Sequence, residues 1–183
     1  SSIRGIIQGE VKNKIVFTMV GDHGVVEEGV SLFPQEVTMQ MVRNFLEGGA
    51  AINILARHMG ARVVVVDCGV AAPMEPAPGL KIKKVNYGTQ NITQGPAMTP
   101  EEAVRSVEVG IEILEEELAA GIELVATGDM GIGNTTPSSA MLAAFTGIDI
   151  QEVIGRGTGL DDHGLNRKAQ VIKKALEVNR PDP

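Results

Sequence analysis

The stretch VATGDMGIGNTTPSSAM, Val125 to Met141, gathers three glycines, an aspartate, an asparagine and three threonines from the end of a strand-like run to a helix-like run. Gly131 and Gly133 permit close backbone approach. Asn134, Thr135 and Thr136 present hydrogen-bonding side chains where a helix N-terminus leaves N–H groups unpaired, so the pattern suits a phosphate or another anion. A plain strand-to-helix turn, with Thr136 as N-cap and Pro137 at the first helical position, needs fewer glycines and polar residues than are present. No lysine follows the last glycine, so this is not a nucleotide-triphosphate P-loop.

Two further segments carry candidate chemistry. GDHGVVEEG, Gly21 to Gly29, places Asp22 and His23 directly after an apolar run. The pair can order its loop by hydrogen bonds or take part in a metal site of phosphoesterase type. With three histidines in the chain and none at helical metal-pair spacing, no metal is expected. GRGTGLDDHGLNRK, Gly155 to Lys168, is a second glycine-rich turn opening a helix through Asn179. Its spacing does not match a dinucleotide fingerprint. Gly155 and Gly157 are candidate phosphate contacts, and Lys168 is near enough to the helix start to reach an anion. His58 reads as a residue at a helix end, and EILEEEL as a solvated helix face.

These residues need a frame to position them. KIVFTMV (Lys14 to Val20), RVVVVDCGV and IELVAT read as buried strands, and LKIKKV as a short edge strand. Between them lie PQEVTMQMVRNFLEGG, with a helix-starting Pro34 and Val37, Met41, Val42 and Phe45 on one face, and AAINILARHMG, closed by Gly60. MTPEEAVRSVEVGIEILEEELAAG opens with a capping box, Thr99 to Glu102, and puts Val104, Val107, Ile111, Leu114 and Leu118 at helical spacing, predicting a core-facing stripe. Strand–helix alternation predicts one α/β domain over 1–183, a doubly wound, mostly parallel, Rossmann-like sheet with helices on both faces. Ligands of such sheets sit at the carboxyl ends of the strands, which brings together the loops at 21–33, 68–79 and 128–136.

Composition narrows the function. A net charge of −7 with four Phe, one Tyr and no Trp argues against nucleic acid as partner. No apolar run reaches the roughly 18 residues of a membrane helix, and the single Cys68 fits a reducing compartment. A cytoplasmic location is expected, with no membrane partner.

Five ordered motifs resemble one family over nearly the whole chain: the nicotinate-nucleotide–dimethylbenzimidazole phosphoribosyltransferases of cobalamin biosynthesis. They are GDHGVVEEGVSLFPQEVT, VVDCGV, GTQNITQGPAMT, GDMGIGNTTPSSAM and GRGTGLDDHGLNRK. The resemblance implies transfer of the phosphoribosyl group of nicotinate mononucleotide to dimethylbenzimidazole or a related aromatic base, giving nicotinate and α-ribazole phosphate without a cofactor. It implies that the glycine-rich turn cradles phosphate and ribose. Asp129 stands where the family carries an acidic residue that balances positive charge on the breaking ribose. It also implies that Asp22, His23, Phe33, Met41 and Met130 lie around the acceptor base, and that the protein is a homodimer. The family is about twice this length, and its general-base glutamate is expected beyond the end of this chain. Two other functions stay open: an inactive nucleotide-binding relative lacking that base, and a metal-dependent phosphoesterase built on GDHG.

Overall fold

The computed structural model describes residues 11–182. Four strands form one sheet: β1 (Lys14–Gly21), β2 (Ala61–Gly69), β3 (Leu80–Ile82) and β4 (Leu124–Met130). Their order across the sheet is β3-β2-β1-β4 and every pairing is parallel. In register, Ile15 lies beside Arg62 and Val125, and Phe17 beside Val64 and Thr127. The chain winds outward from β1 in one direction and returns to its other side with β4. The order therefore reverses between β1 and β4, and the crevice for a ligand opens there, at the carboxyl ends.

The expected α/β architecture is present, with helices on both faces. On one face Ile15, Phe17, Val64 and Val66 pack against Val109 and Ile113 of α3 (Pro100–Ala119). On the other, Val20 and Val65 pack against Val42 and Phe45 of α1 (Glu36–Leu46), and against Ala50, just before α2 (Ala51–His58). Asn53 of α2 donates to the carbonyl of Phe45 at 3.0 Å, which joins α1 to α2. Three further helices follow β4: α4 (Thr135–Thr146), a single turn α5 (Ile150–Val153), and α6 (Asp162–Asn179). Buried alanines, Ala140 and Ala143 on α4 and Ala169 and Ala175 on α6, fit the close packing of α4 on α6.

Local chemistry explains most boundaries. The Thr99 hydroxyl accepts from the Glu102 N–H at 3.2 Å while the Glu102 carboxylate accepts from the Thr99 N–H at 2.8 Å, so the capping box forms as expected. The Asp161 carboxylate caps α6 by accepting from the Gly164 N–H at 2.8 Å. Pro34 does not open α1. Its carbonyl accepts from Val37 in a preceding turn, and the helix starts at Glu36.

The expected core face of α3 is wrong. Val104, Val107, Ile111, Leu114 and Leu118 are all exposed, and the buried side carries Val109, Ile113 and Glu117. Glu117 is tolerated there because its carboxylate meets Arg62 at 2.6 Å and Lys81 at 3.3 Å, which holds it below the usual carboxylate range. Every residue of β4 from Leu124 to Asp129 is exposed. No helix among the described residues is long and apolar enough to cross a membrane. The two sides of α3 respond differently to truncation: Ile113→Ala is expected to lose about 2–5 kcal/mol of unfolding free energy. Ile111→Ala is expected to change it by less than about 0.5 kcal/mol, both read by urea titration.

Candidate functional site

The carboxyl ends of β1, β2 and β4 are held by different devices. At β2, Asp67 is fully buried. Its Oδ1 accepts from the N–H groups of Gly69 and Val70, and its Oδ2 lies 2.8 Å from Lys84 Nζ, close enough for an ion pair but off the angle of a hydrogen bond. Lys84 also donates to the carbonyl of Val70 and sits over the Tyr87 ring. At β1, the Asp22 N–H donates to Gly69 and its Oδ2 accepts from Ala71 at 2.8 Å, while Oδ1 is buried with no partner. The loop at 88–93 closes the other side. Gly24 donates to the carbonyl of Thr89, and Glu28 accepts from Asn91 at 2.9 Å and Thr93 at 2.7 Å. Those two donors stabilise the Glu28 carboxylate and hold its pKa down.

A cavity of about 430 Å³ opens between these ends. Asp22, His23, Cys68, Asp129, Met130 and Asn134 line it, together with apolar side chains including Met19 and Met98. Asp129 accepts a short hydrogen bond from the Asn134 side chain, which fixes the carboxylate at the mouth of the turn. Asn134 is thereby drawn away from capping α4, which begins at Thr135, and Thr136 and Pro137 fall inside its first turn instead of at the N-cap and first helical position. Burial pulls the His23 imidazole below its usual range against the opposing pull of Asp22 and Asp129. Burial and the neighbouring Asp67 charge push the Cys68 thiol up to about 11.

The glycines of the turn also set how closely it packs. A Cβ at Gly131 would stand 2.0 Å from the Gly21 carbonyl oxygen and 3.0 Å from His23 Nε2. At Gly133, which has φ +85°, it would stand 2.7 Å from Val26. Both glycines therefore let the turn close on the β1 loop. Ile132 N–H donates to the buried Thr38 hydroxyl at 3.0 Å, tying the same turn to α1.

Lys168 reaches this turn from α6. It is fully buried, and its ammonium donates to Thr135 Oγ1 at 2.6 Å and to the Gly155 carbonyl at 3.1 Å. Among the described residues no carboxylate pairs with it, and burial alone pulls its pKa down. An ammonium has three donors, so one remains beyond these two bonds. Gly157, at φ +54°, lies against the same pair, since a Cβ there would be 3.1 Å from Thr135 Oγ1 and 3.6 Å from Lys168 Nζ. The next residue, Thr136, has its Oγ1 buried without a partner.

The structure thus gathers Gly131, Gly133, Asn134, Thr135, Thr136, Gly155, Gly157 and Lys168 into one region, with Asp129, Asp22, His23 and Met130 on the adjoining cavity. Met41 packs into the same core cluster as Met130, behind the cavity. Phe33 is not in the cavity lining. It is half exposed in a loop whose Leu32 N–H and Ser31 hydroxyl bind Thr158, beside the Gly155–Gly159 turn. Cys68, Met19, Met98 and Ser106 line the cavity and were not singled out from sequence. For Cys68 the available signal was its place at the end of the clearest strand. His58 ends α2, away from the cavity. No group of three His, Cys, Asp or Glu is gathered as a metal cage among the described residues.

A parallel sheet with a cavity at its reversal point defines a doubly wound α/β domain. The family is fixed by comparison. A family model described as "Phosphoribosyltransferase" matches residues 1–183. The nicotinate-nucleotide–dimethylbenzimidazole phosphoribosyltransferase of Geotalea uraniireducens is 57% identical over 182 residues, which is 100% of this chain and 52% of that protein. The protein of that name from Desulforudis audaxviator is 56% identical over 183 residues, again 52% of its length. The crystal structure of CobT from Thermus thermophilus superposes with a TM-score of 0.93 at 48% identity, covering 100% of this chain and 54% of that one. The chain belongs to this phosphoribosyltransferase family, and it spans about half the length of the curated relatives it matches. The relatives give no support to a phosphoesterase.

The His23 environment has a stability consequence. Its folded pKa lies below the usual value of about 6.5, so the unfolded chain takes up the proton first on acidification. The contribution is complete above about pH 6.5 and is lost as pH falls through the folded pKa. His23→Asn is expected to flatten this part of the stability–pH curve between pH 7 and 5, measured by urea unfolding.

Proposed function

We propose that the chain is the nucleotide-binding portion of an enzyme that transfers the phosphoribosyl group of nicotinate mononucleotide to dimethylbenzimidazole or a related aromatic base, in cobalamin lower-ligand synthesis. The observation that carries this reading is the buried Lys168 ammonium, bonded to Thr135 at the start of α4 with no carboxylate among the described residues to balance it. A phosphate monoester supplies the missing charge, and the positive end of the α4 dipole favours the same group.

With phosphate held there, the ribose extends toward Asp129. The C1–N bond to the pyridinium ring breaks, positive charge builds at the ribose ring, and Asp129, oriented by Asn134, stabilises it. A ring nitrogen of the acceptor bonds to C1, its proton leaves to a general base, and nicotinate departs with the bonding pair. That base is the family's glutamate, expected outside this sequence, and its loss lowers the rate by roughly 10²–10⁴. Asp22, His23, Met130 and, behind it, Met41 form the acceptor side, with Phe33 the outlying member. Thioether and aromatic surfaces accept flat rings with little polar discrimination. The protein is proposed to act in the cytoplasm as a homodimer.

Binding can be tested on this chain alone. Lys168→Met is expected to weaken nicotinate mononucleotide binding about 10- to 100-fold by calorimetry, the range of a charge-assisted hydrogen bond. Wild-type affinity should fall as pH rises, and earlier than an ordinary lysine near 10.4 would allow, because only the protonated amine balances phosphate. Gly133→Val should also weaken it by opening the turn. Unchanged affinity in both variants would count against the site. For the acceptor side, Phe33→Ser with Met41→Gln in an enzyme that includes the second half should reorder kcat/KM across benzimidazoles and phenols, and an unchanged order would remove both residues from the pocket.

A further inference from the structure

The backbone of His23 is pinned from two sides. His23 pairs with Thr89 across a single parallel bridge. The preceding Asp22 N–H donates to the Gly69 carbonyl at 2.9 Å, and the Thr89 N–H donates to the Asp22 carbonyl at 3.0 Å. The ring is seated against the β4 turn, since a Cβ at Gly131 would meet Nε2 at 3.0 Å and Cδ2 at 3.1 Å. It lines the cavity together with Asp129 and Asn134. Yet neither ring nitrogen hydrogen-bonds to any of the described residues. A polar ring facing a cavity walled mainly by apolar side chains is destabilising until something bonds to it.

The protonation state of the ring narrows what that partner is. Burial keeps the imidazole neutral near neutral pH, against the pull of Asp22 on its own loop and Asp129 on β4. A neutral imidazole has one N–H to give and one lone pair to receive. A charged one would offer two donors and pair with Asp129, cancelling the charge of that carboxylate. The flat face of an aromatic base satisfies neither nitrogen, and a phosphate or carboxylate satisfies only the N–H. A sugar hydroxyl gives and accepts, so it suits either nitrogen.

We propose that His23 is a ribose-binding residue, whose ring hydrogen-bonds a 2′- or 3′-hydroxyl of the bound nucleotide beside Asp129. The inference rests on the proposed phosphate site at Lys168, which directs the ribose toward Asp129. It moves His23 from the acceptor side of the cavity to its border with the sugar. Gly131 then has two duties: it lets the turn close on the Gly21 carbonyl, and it leaves room for the imidazole that reads the sugar. The ligand class that follows is a ribonucleotide 5′-monophosphate, preferred over its deoxy counterpart.

The test is a cycle between side chain and ligand, read by calorimetry with nicotinate mononucleotide and its 2′-deoxy and 3′-deoxy analogues. Wild type is expected to bind at least one analogue about 3- to 10-fold more weakly than the parent, the range of a neutral hydrogen bond. His23→Phe keeps a flat ring against Gly131 and removes both nitrogens. It should weaken the parent by the same factor, after which loss of that hydroxyl should matter less than about 2-fold. Lys168→Met should weaken all three ligands together and keep the hydroxyl difference, so the two contacts are read separately. If His23→Phe does not fold, His23→Ala is read against the same three ligands. A wild type that binds all three alike, or a His23 variant that keeps the full hydroxyl difference, overturns the inference; the phosphate site survives if Lys168→Met still weakens binding. Affinity indifferent to Lys168→Met removes that site and this inference with it.

Discussion

A lysine ammonium removed from water must find negative charge or give up its proton, and much of the second half of this domain is arranged around Lys168. The α6 helix delivers it, the Gly155–Gly159 turn supplies one carbonyl, and the first turn of α4 supplies the Thr135 hydroxyl. Two neutral acceptors do not balance a buried cation. On the proposed reading an anion completes the region; the neighbouring residue Thr136 also keeps a buried hydroxyl without a partner.

Close approach of the strand ends makes this arrangement rigid. Gly131 lies so near the Gly21 carbonyl that even a methyl group would have to displace it, and Gly133 does the same against Val26. The β1 loop, the β4 turn and α1, through Thr38 and Ile132, therefore move as a unit. Asp67 and Lys84 fix the β2 end from the other side. Asp129 is consequently presented at a set distance from the turn, oriented by Asn134, with His23 kept neutral by burial near neutral pH.

The strands and the candidate phosphate region were legible because parallel strands read as continuous apolar runs, and because glycine, threonine and asparagine collect after β4 for local reasons. Three features were hidden. The α3 stripe from Val104 to Leu118 has the periodicity of a core face, but periodicity reports that a face is apolar, not which neighbour covers it. The sheet takes the narrower set Val109, Ile113 and Glu117, and Glu117 looks solvated until Arg62 and Lys81 arrive from β2 and β3. Helix starts at Glu36 and Thr135 were misplaced by one or two residues, since Pro34 spends its carbonyl on a turn and Asn134 spends its amide on Asp129. Cavity residues such as Met98 and Ser106 come from a crossing loop and from α3, and only the tertiary path of residues 83–99 brings them to the strand ends.

Lys168 and the α4 N-terminus together form the proposed phosphate site, so the most direct measurement is a crystal structure with nicotinate mononucleotide bound. The expected result is a phosphate oxygen about 3 Å from Lys168 Nζ, at the N-terminal end of α4, with the ribose directed at Asp129. A phosphate bound elsewhere, with Lys168 still bonded only to Thr135 and Gly155, would contradict it.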